Sequence, residues 1–123
     1  MARIVPAAGP DATLREVCKL MREYRCSYLV IAEEGKPIGI ITESDIVHRA
    51  VLENVAFMTI QARELMSQPV VTIEHSETME DANALMKTLG FRHIVVIDEE
   101  EKKVVGMVTL LGLLRYFEEL SLK

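Results

Sequence analysis

Two short stretches of this chain carry side chains spaced to do chemistry. The first is Gly39-Ile-Ile-Thr42-Glu-Ser-Asp45, in which an apolar run ends on a hydroxyl and a carboxylate follows three residues later. If the run is a strand and the acid falls in the first turn of the next helix, Thr42 and Asp45 point into the same space. An ionised carboxylate only accepts hydrogen bonds, and by taking two at once it suits the vicinal hydroxyls of a sugar ring such as ribose. The helix start adds N–H donors and a partial positive charge, to which a phosphate can also be drawn. Helix capping uses the same pair in the same spacing, so spacing alone leaves both roles open. The second stretch is Arg92-His93, a guanidinium beside an imidazole at the head of the apolar run Ile94-Val-Val-Ile97. Arg92 is a natural counter-charge for an anion, whereas a histidine flanked by apolar residues on a strand is more often a satisfied core side chain than a phosphate ligand.

Other catalytic patterns are missing. There is no phosphate-binding glycine loop, dinucleotide fingerprint, H-E-x-x-H pair or nucleophile elbow. The three histidines fall on a helix (His48), in a turn (His75) and in a strand (His93) and share no ligand spacing, so no metal site is expected. Cys18 and Cys26 match neither a zinc spacing nor a redox C-x-x-C, and read as two buried thiols in a reducing compartment.

An internal repeat supplies the elements that must position these residues. Residues 13–31 align with 78–96 at a constant offset of 65: Thr13 with Thr78, Glu16 with Asp81, Leu20-Met21 with Leu85-Met86, and Leu29-Val-Ile31 with Ile94-Val-Val96. Each half opens on a short β-rich segment, expected at Ile4-Val5 and at Pro69–Ile73. A helix follows, announced by the capping box Thr13-Leu-Arg-Glu16, whose Glu16 can reach back to the cap, and by a weaker version of it, Thr78-Met-Glu-Asp81. Leu14, Val17, Cys18 and Met21 recur at helical spacing, as do Met79, Ala82, Leu85, Met86 and Leu89. Tyr28-Leu-Val-Ile31 and Ile94–Ile97 then read as buried strands. Gly35-Lys-Pro37 and Asp98–Lys103 are the turns, the second two residues longer and solvated, so the return strands Ile38–Thr42 and Val104–Thr109 align at an offset of 67. Closing helices are expected from about Ser44 and Leu110. The order β-α-β-β-α in each half gives an α/β fold of the α+β kind. Its boundaries are 1–60 for the first repeat, 61–68 for the linker and 69–123 for the second repeat. Each half is marginal alone, so the pair is expected to pack as one compact pseudo-twofold module.

Composition narrows the partners. The net charge of −5 and scattered basic residues oppose nucleic-acid binding, which needs a clustered basic face. The start MARIVPAAGP lacks a signal-peptide pattern and no apolar run approaches membrane-spanning length, so a cytoplasmic protein is expected. The apolar stripe Leu110-Leu-Gly-Leu-Leu114 with Phe117 and Leu120 lacks a basic face and suits core or dimer packing rather than a membrane surface.

Gly39-Ile-Ile-Thr42-Glu-Ser-Asp45 follows the CBS signature G-h-h-T-x-x-D, and Gly106-Met-Val-Thr109-Leu-Leu-Gly112 repeats it without the acid. With the doubled β-α-β-β-α unit, the segment Leu65–Ile73 and Arg92–Asp98, the chain resembles a stand-alone tandem pair of CBS domains, a Bateman module, over nearly its whole length. The resemblance implies a non-catalytic regulatory module that binds an adenine nucleotide (AMP first, then ADP, ATP or S-adenosylmethionine) in the cleft between repeats. It assigns Thr42 and Asp45 to the ribose, and Arg92 with His93 to the phosphate. Pro69, Val70 and Val71 would wall the adenine, with Ile40 on the opposite side. The second cleft departs from the pattern at Gly112, so with Thr109 it is expected to be weak or empty and the chain to bind one nucleotide. The resemblance also implies a homodimer and a regulated enzyme or transporter as partner. The alternative is a structural module with a vestigial cleft that dimerises or docks on such a partner; an undetected nucleotide-processing enzyme ranks third.

Overall fold

The computed structural model describes residues 5–68 and 70–121, which fall into two compact units, Val5–Val70 and the segment from Val71 onward. The architecture is mixed α/β, with one three-stranded sheet in each unit.

In the first unit the order is β1 (Ala7–Ala8), α1 (Leu14–Tyr24), β2 (Tyr28–Glu33), β3 (Lys36–Thr42), α2 (Glu43–Asp45) and, after a π-helical stretch at Ile46–Val51, α3 (Ala62–Leu65). The sheet runs β1-β2-β3, with β1 parallel and β3 antiparallel to β2. Helix α1 starts at Thr13, but only half of the capping box expected there forms: Thr13 Oγ1 accepts from the Glu16 N–H at 3.3 Å, with no return bond from the Glu16 side chain. Its first-turn amides, which have no partner within a helix, donate to the carbonyls of Ile60 (from Leu14, 3.0 Å) and Phe57 (from Arg15, 3.2 Å). Leu14, Val17 and Met21 bury one face against Leu29, Ile31, Ile41, Ala50, Ala62 and Leu65. The helix ends on Arg25 in the left-handed region (φ 52°), with Cys26 N–H closing on the Met21 carbonyl at 3.0 Å. Segment 61–68, expected to join the halves, is bonded into this unit. Ala62 N–H donates to Ala12 O (2.7 Å), and Ser67 and Ile40 exchange backbone bonds of 2.8 and 3.2 Å across the outer edge of β3.

The second unit repeats the plan as β4 (Thr72–Glu74), α4 (Met79–Leu89), β5 (His93–Asp98), β6 (Lys103–Thr109) and α5 (Leu110–Ser121), with sheet order β4-β5-β6. Thr78 and Asp81 form a complete capping box, and α4 stops at Gly90 with φ 73°. Ala82, Met86, Ile94, Val96, Val108 and Leu113 make its core. Leu89, which shares the helical spacing of that face, is exposed, because it lies in the last turn, next to the Gly90 cap.

The offsets of 65 and 67 carry through to the strand pairing: Ala7 opposes Val30 as Thr72 opposes Val95, and Tyr28 opposes Thr42 as His93 opposes Thr109. The opening strands lie later than expected. Val5 is outside β1, Ile4 lies outside the described residues, and Val70 and Val71 precede β4. Pairing with the central strand, rather than local β propensity, chooses which residues become strand: Ala7-Ala8 is unremarkable by composition but aligns with Val30-Ile31.

Candidate functional site

The junction of β3 and α2 brings Thr42 and Asp45 together. Asp45 is residue N3 of the helix that Thr42 caps. Asp45 N–H donates to Thr42 Oγ1 at 3.3 Å, while Asp45 Oδ2 accepts from Thr42 N–H at 2.9 Å and from the Thr42 hydroxyl at 3.1 Å. The other carboxylate oxygen, Oδ1, accepts from the Ser67 hydroxyl at 3.0 Å and lies 3.9 Å from Arg49 Nε. With 14% of its side chain exposed, the acid is held in a pocket of its own chain.

A carboxylate offers about four acceptor positions, and three are already used by Thr42 and Ser67. One remains at Oδ1, so two hydroxyls of a diol fit only if the Ser67 hydroxyl rotates away. The carboxylate is thus already engaged as part of the capping box, with one acceptor position left over.

Ser67 and Arg49 are the neighbours that sequence reasoning did not name. Arg49 is four residues after Asp45 on the same helical run, a spacing that was available as a signal. It donates to the carbonyls of Leu65 (3.0 Å) and Met66 (3.1 Å), and so ties the connecting segment to the helix that carries the acid. Ser67 reaches Asp45 only through its bridge to Ile40, which no local pattern announces. Close approach at this edge also explains Gly39: a Cβ there would lie 2.3 Å from Met66 Sδ and 2.8 Å from Met66 Cβ.

Of the other expected site residues, Ile40 and Val70 are half-buried in the first unit and Val71 in the second; Pro69 lies outside the described residues. In the second unit Arg92 is exposed and makes no side-chain hydrogen bond or ion pair among the described residues. Its carbonyl accepts from Leu110 N–H at 2.9 Å, as Ser27 O accepts from Glu43 N–H at 3.0 Å in the first. His93 opens β5, half-buried. Thr109 Oγ1 accepts from Gly112 N–H at 3.0 Å, half of the Thr42–Asp45 box; with no carboxylate at 112, the reciprocal bond is missing.

A groove of about 430 Å³ elsewhere on the first unit is lined by Cys18, Arg22, Arg25, Cys26, Ser27 and Glu43, without Thr42 or Asp45. Both thiols are half-buried rather than buried, and burial pushes the Cys18 thiol up, away from the reactive thiolate.

Comparison with known proteins places this geometry in context. The family model described as CBS domain matches residues 1–51 and again 62–119. The protein MK0525 of Methanopyrus kandleri is 35% identical over 114 residues; the match covers 92% of this chain but 58% of that protein. The chain therefore spans little more than half the length of that relative. The hexameric CBS-CP12 protein from bloom-forming cyanobacteria superposes with a TM-score of 0.79 at 26% identity, covering 93% of this chain and 67% of that one. The CBS domain protein PAE2072 of Pyrobaculum aerophilum, solved in complex with AMP, superposes at 0.77 with 22% identity, covering 91% and 85%.

Proposed function

This chain belongs to the CBS-domain family and carries two CBS repeats, and from that premise we propose that it is a non-catalytic regulatory module that binds an adenine nucleotide, AMP before ADP, ATP or S-adenosylmethionine. The observation that carries this reading is the fixed carboxylate at the β3–α2 junction. Asp45 is oriented by three hydrogen bonds and keeps an acceptor position at Oδ1, next to a helix start that favours anions. Thr42 and Asp45 take the ribose, with Ser67 turning aside; Ile40, Pro69, Val70 and Val71 hold the base. Arg92, with His93, meets the phosphate. Thr109 and Gly112 lack the acid and bind weakly or not at all, giving one nucleotide per chain. The AMP complex of PAE2072 is the precedent for the ligand class. Regulation requires the ligand to prefer one of two arrangements of the module, acting on a partner enzyme or transporter.

A second reading is favoured by the acceptor count at Asp45. A carboxylate already satisfied by Thr42 and Ser67 is also what a purely structural pair would hold. In that case the apolar side chains exposed on the closing helices, Val47, Val51 and Leu52 in the first unit and Leu110, Leu111 and Leu114 in the second, carry the function by homodimerisation or docking. Among the described residues no helix is long and apolar enough to cross a membrane.

Calorimetric titration with AMP, ADP, ATP and S-adenosylmethionine decides between them, with Arg92→Ala as the variant that leaves the fold alone. One equivalent bound, weakened by Arg92→Ala, supports the sensor. No binding at millimolar ligand to protein verified free of co-purified nucleotide refutes it in favour of the structural module.

A further inference from the structure

We propose that Glu74, His75 and Asp98 of the second unit form a binding site for one divalent transition-metal cation, of which Zn²⁺ is the probe of choice. The end of β4, the turn after it and the end of β5 bring these residues together. One donor atom from each lies within 4.8 Å of the others. His75 Nε2 is 3.1 Å from Glu74 Oε1 and 3.7 Å from Asp98 Oδ2. Ligand bonds of about 2.0–2.2 Å put neighbouring donors around one ion roughly 3.0–3.5 Å apart, so the spacing needs little adjustment.

The carboxylates are also aimed. Glu74 accepts from Glu99 N–H through Oε2 (3.0 Å) and Asp98 accepts from Glu101 N–H through Oδ1 (3.1 Å). In each case the oxygen not held by the backbone is the one that faces His75. Outer partners that orient a ligand in this way are characteristic of metal sites. The backbone of His75 is held at this point by its main-chain N–H, which donates to Ile97 O at 2.9 Å. Lys103 is paired with Glu101 at 2.6 Å. One imidazole and two carboxylates suit Zn²⁺ or its neighbours, with water in the open positions.

The fold does not require this cluster. At an offset of 65 the first unit has Gly9, Pro10 and Glu33 in the same places. It closes the same turn, Ala12 N–H to Gly9 O at 3.2 Å against Glu77 N–H to Glu74 O at 3.0 Å. The competing explanation is a protonated His75 held as an ordinary ion pair.

The test uses the full chain, treated with chelator and carrying Cys18→Ser and Cys26→Ser so that thiols take no metal, with no nucleotide present; it is thus independent of the ligand reading above. Calorimetry with Zn²⁺ is expected to saturate at one equivalent. His75→Gln and Asp98→Asn should each weaken binding on the order of 100-fold, since even outer-shell partners of a metal are worth roughly 10–100-fold. In protein with the native ligands, Zn²⁺ should also shift the His75 ring resonances. Absence of saturable binding, affinity unchanged in both variants, or His75 ring resonances that do not move with Zn²⁺ would overturn the assignment and leave an ion pair only.

Discussion

Replacing Asp45 by alanine tests what its carboxylate contributes to the β3–α2 junction. Without ligand, Asp45→Ala removes the bonds of Oδ2 to the Thr42 N–H and hydroxyl and of Oδ1 to Ser67. The Thr42 cap itself survives, since its Oγ1 still accepts from the N–H of residue 45. What goes is the return half of the capping box, comparable to a cap's typical worth of about 1 kcal/mol, and hydrogen bonds to a charged group are worth about 1.5–3 kcal/mol each before the carboxylate's own desolvation is offset. The Arg49 contact at 3.9 Å to a half-exposed guanidinium adds little. The expected net loss is about 2 kcal/mol, read from the urea midpoint at constant m-value. Asp45→Asn keeps an acceptor oxygen and should lose about half as much. The second unit offers the converse experiment. Thr109 already accepts from Gly112 N–H, so Gly112→Asp should complete the box and, by removing a helical glycine, add about 1 kcal/mol. The new Cβ meets Thr109 Oγ1 at 3.1 Å, a contact that the first unit's Thr42–Asp45 pair accommodates. If Asp45→Ala lies within about 0.5 kcal/mol of wild type, below the usual range for a lost cap, the carboxylate does not hold the junction and the capping argument fails.

Three further outcomes are expected. Arg25 and Gly90 occupy equivalent helix ends at φ 52° and 73°, so Arg25→Gly should stabilise by about 1 kcal/mol and Gly90→Ala destabilise by about as much, in chemical denaturation. Gly39→Ala drives a methyl into Met66 and should cost about 1–3 kcal/mol; Met66→Ala in the same chain should relieve part of it, since the Met66 Cβ also lies too close. Burial first, then the charge and hydrogen bond of Cys26, push the Tyr28 phenol from 10.0 up to about 12. The folded state then holds its proton longer than the unfolded one, so stability present below pH 10 is lost as pH rises towards 12. Tyrosinate absorbance should show this as a late ionisation that Tyr28→Phe abolishes.

What the sequence made legible was whatever is local or repeated. The capping boxes at Thr42 and Thr78 are local exchanges of hydrogen bonds, and residue spacing contains them in full. The return strands follow from the repeat because one hairpin turns through Glu34-Gly35 and the other through four residues ending at Lys102 with φ 54°. What escaped depends on partners distant along the chain. Ala7-Ala8 becomes a strand because Val30 and Ile31 are beside it. Ser67 reaches Asp45 because it bridges to Ile40. Glu74 and His75 meet Asp98, a residue distant from both along the chain. The π-helical stretch at Ile46–Val51, with Leu52 N–H bonded to Val47 O at 3.1 Å, has no glycine or proline to announce it.

The two repeats act as controls for one another. Where they agree, the shared residues do the work of the fold: Thr13 and Thr78 cap, Leu14 and Met79 pack at the core, Ser27 and Arg92 lend the same backbone carbonyl to the same helix start. Where they differ, either the local backbone changes too, as at Asp45, whose helix passes into the π-helical stretch while α5 runs on through Gly112, or it stays the same, as at Ser27 and Arg92, where the fold does not explain the side chain. Asp45 stands against Gly112, the side chain of Arg92 against that of Ser27, and Glu74-His75 against Gly9-Pro10. Each of these differences puts a charged or metal-ligating group where its counterpart has a smaller or inert one, and each sits at a strand end, where side chains are aimed by the sheet but not consumed by the core. That argument selects the same residues whether one begins from the nucleotide or from the cation. It also implies that exchanging a side chain the fold does not use, Arg92→Ser for example, should change nucleotide binding while leaving the denaturation midpoint almost unmoved.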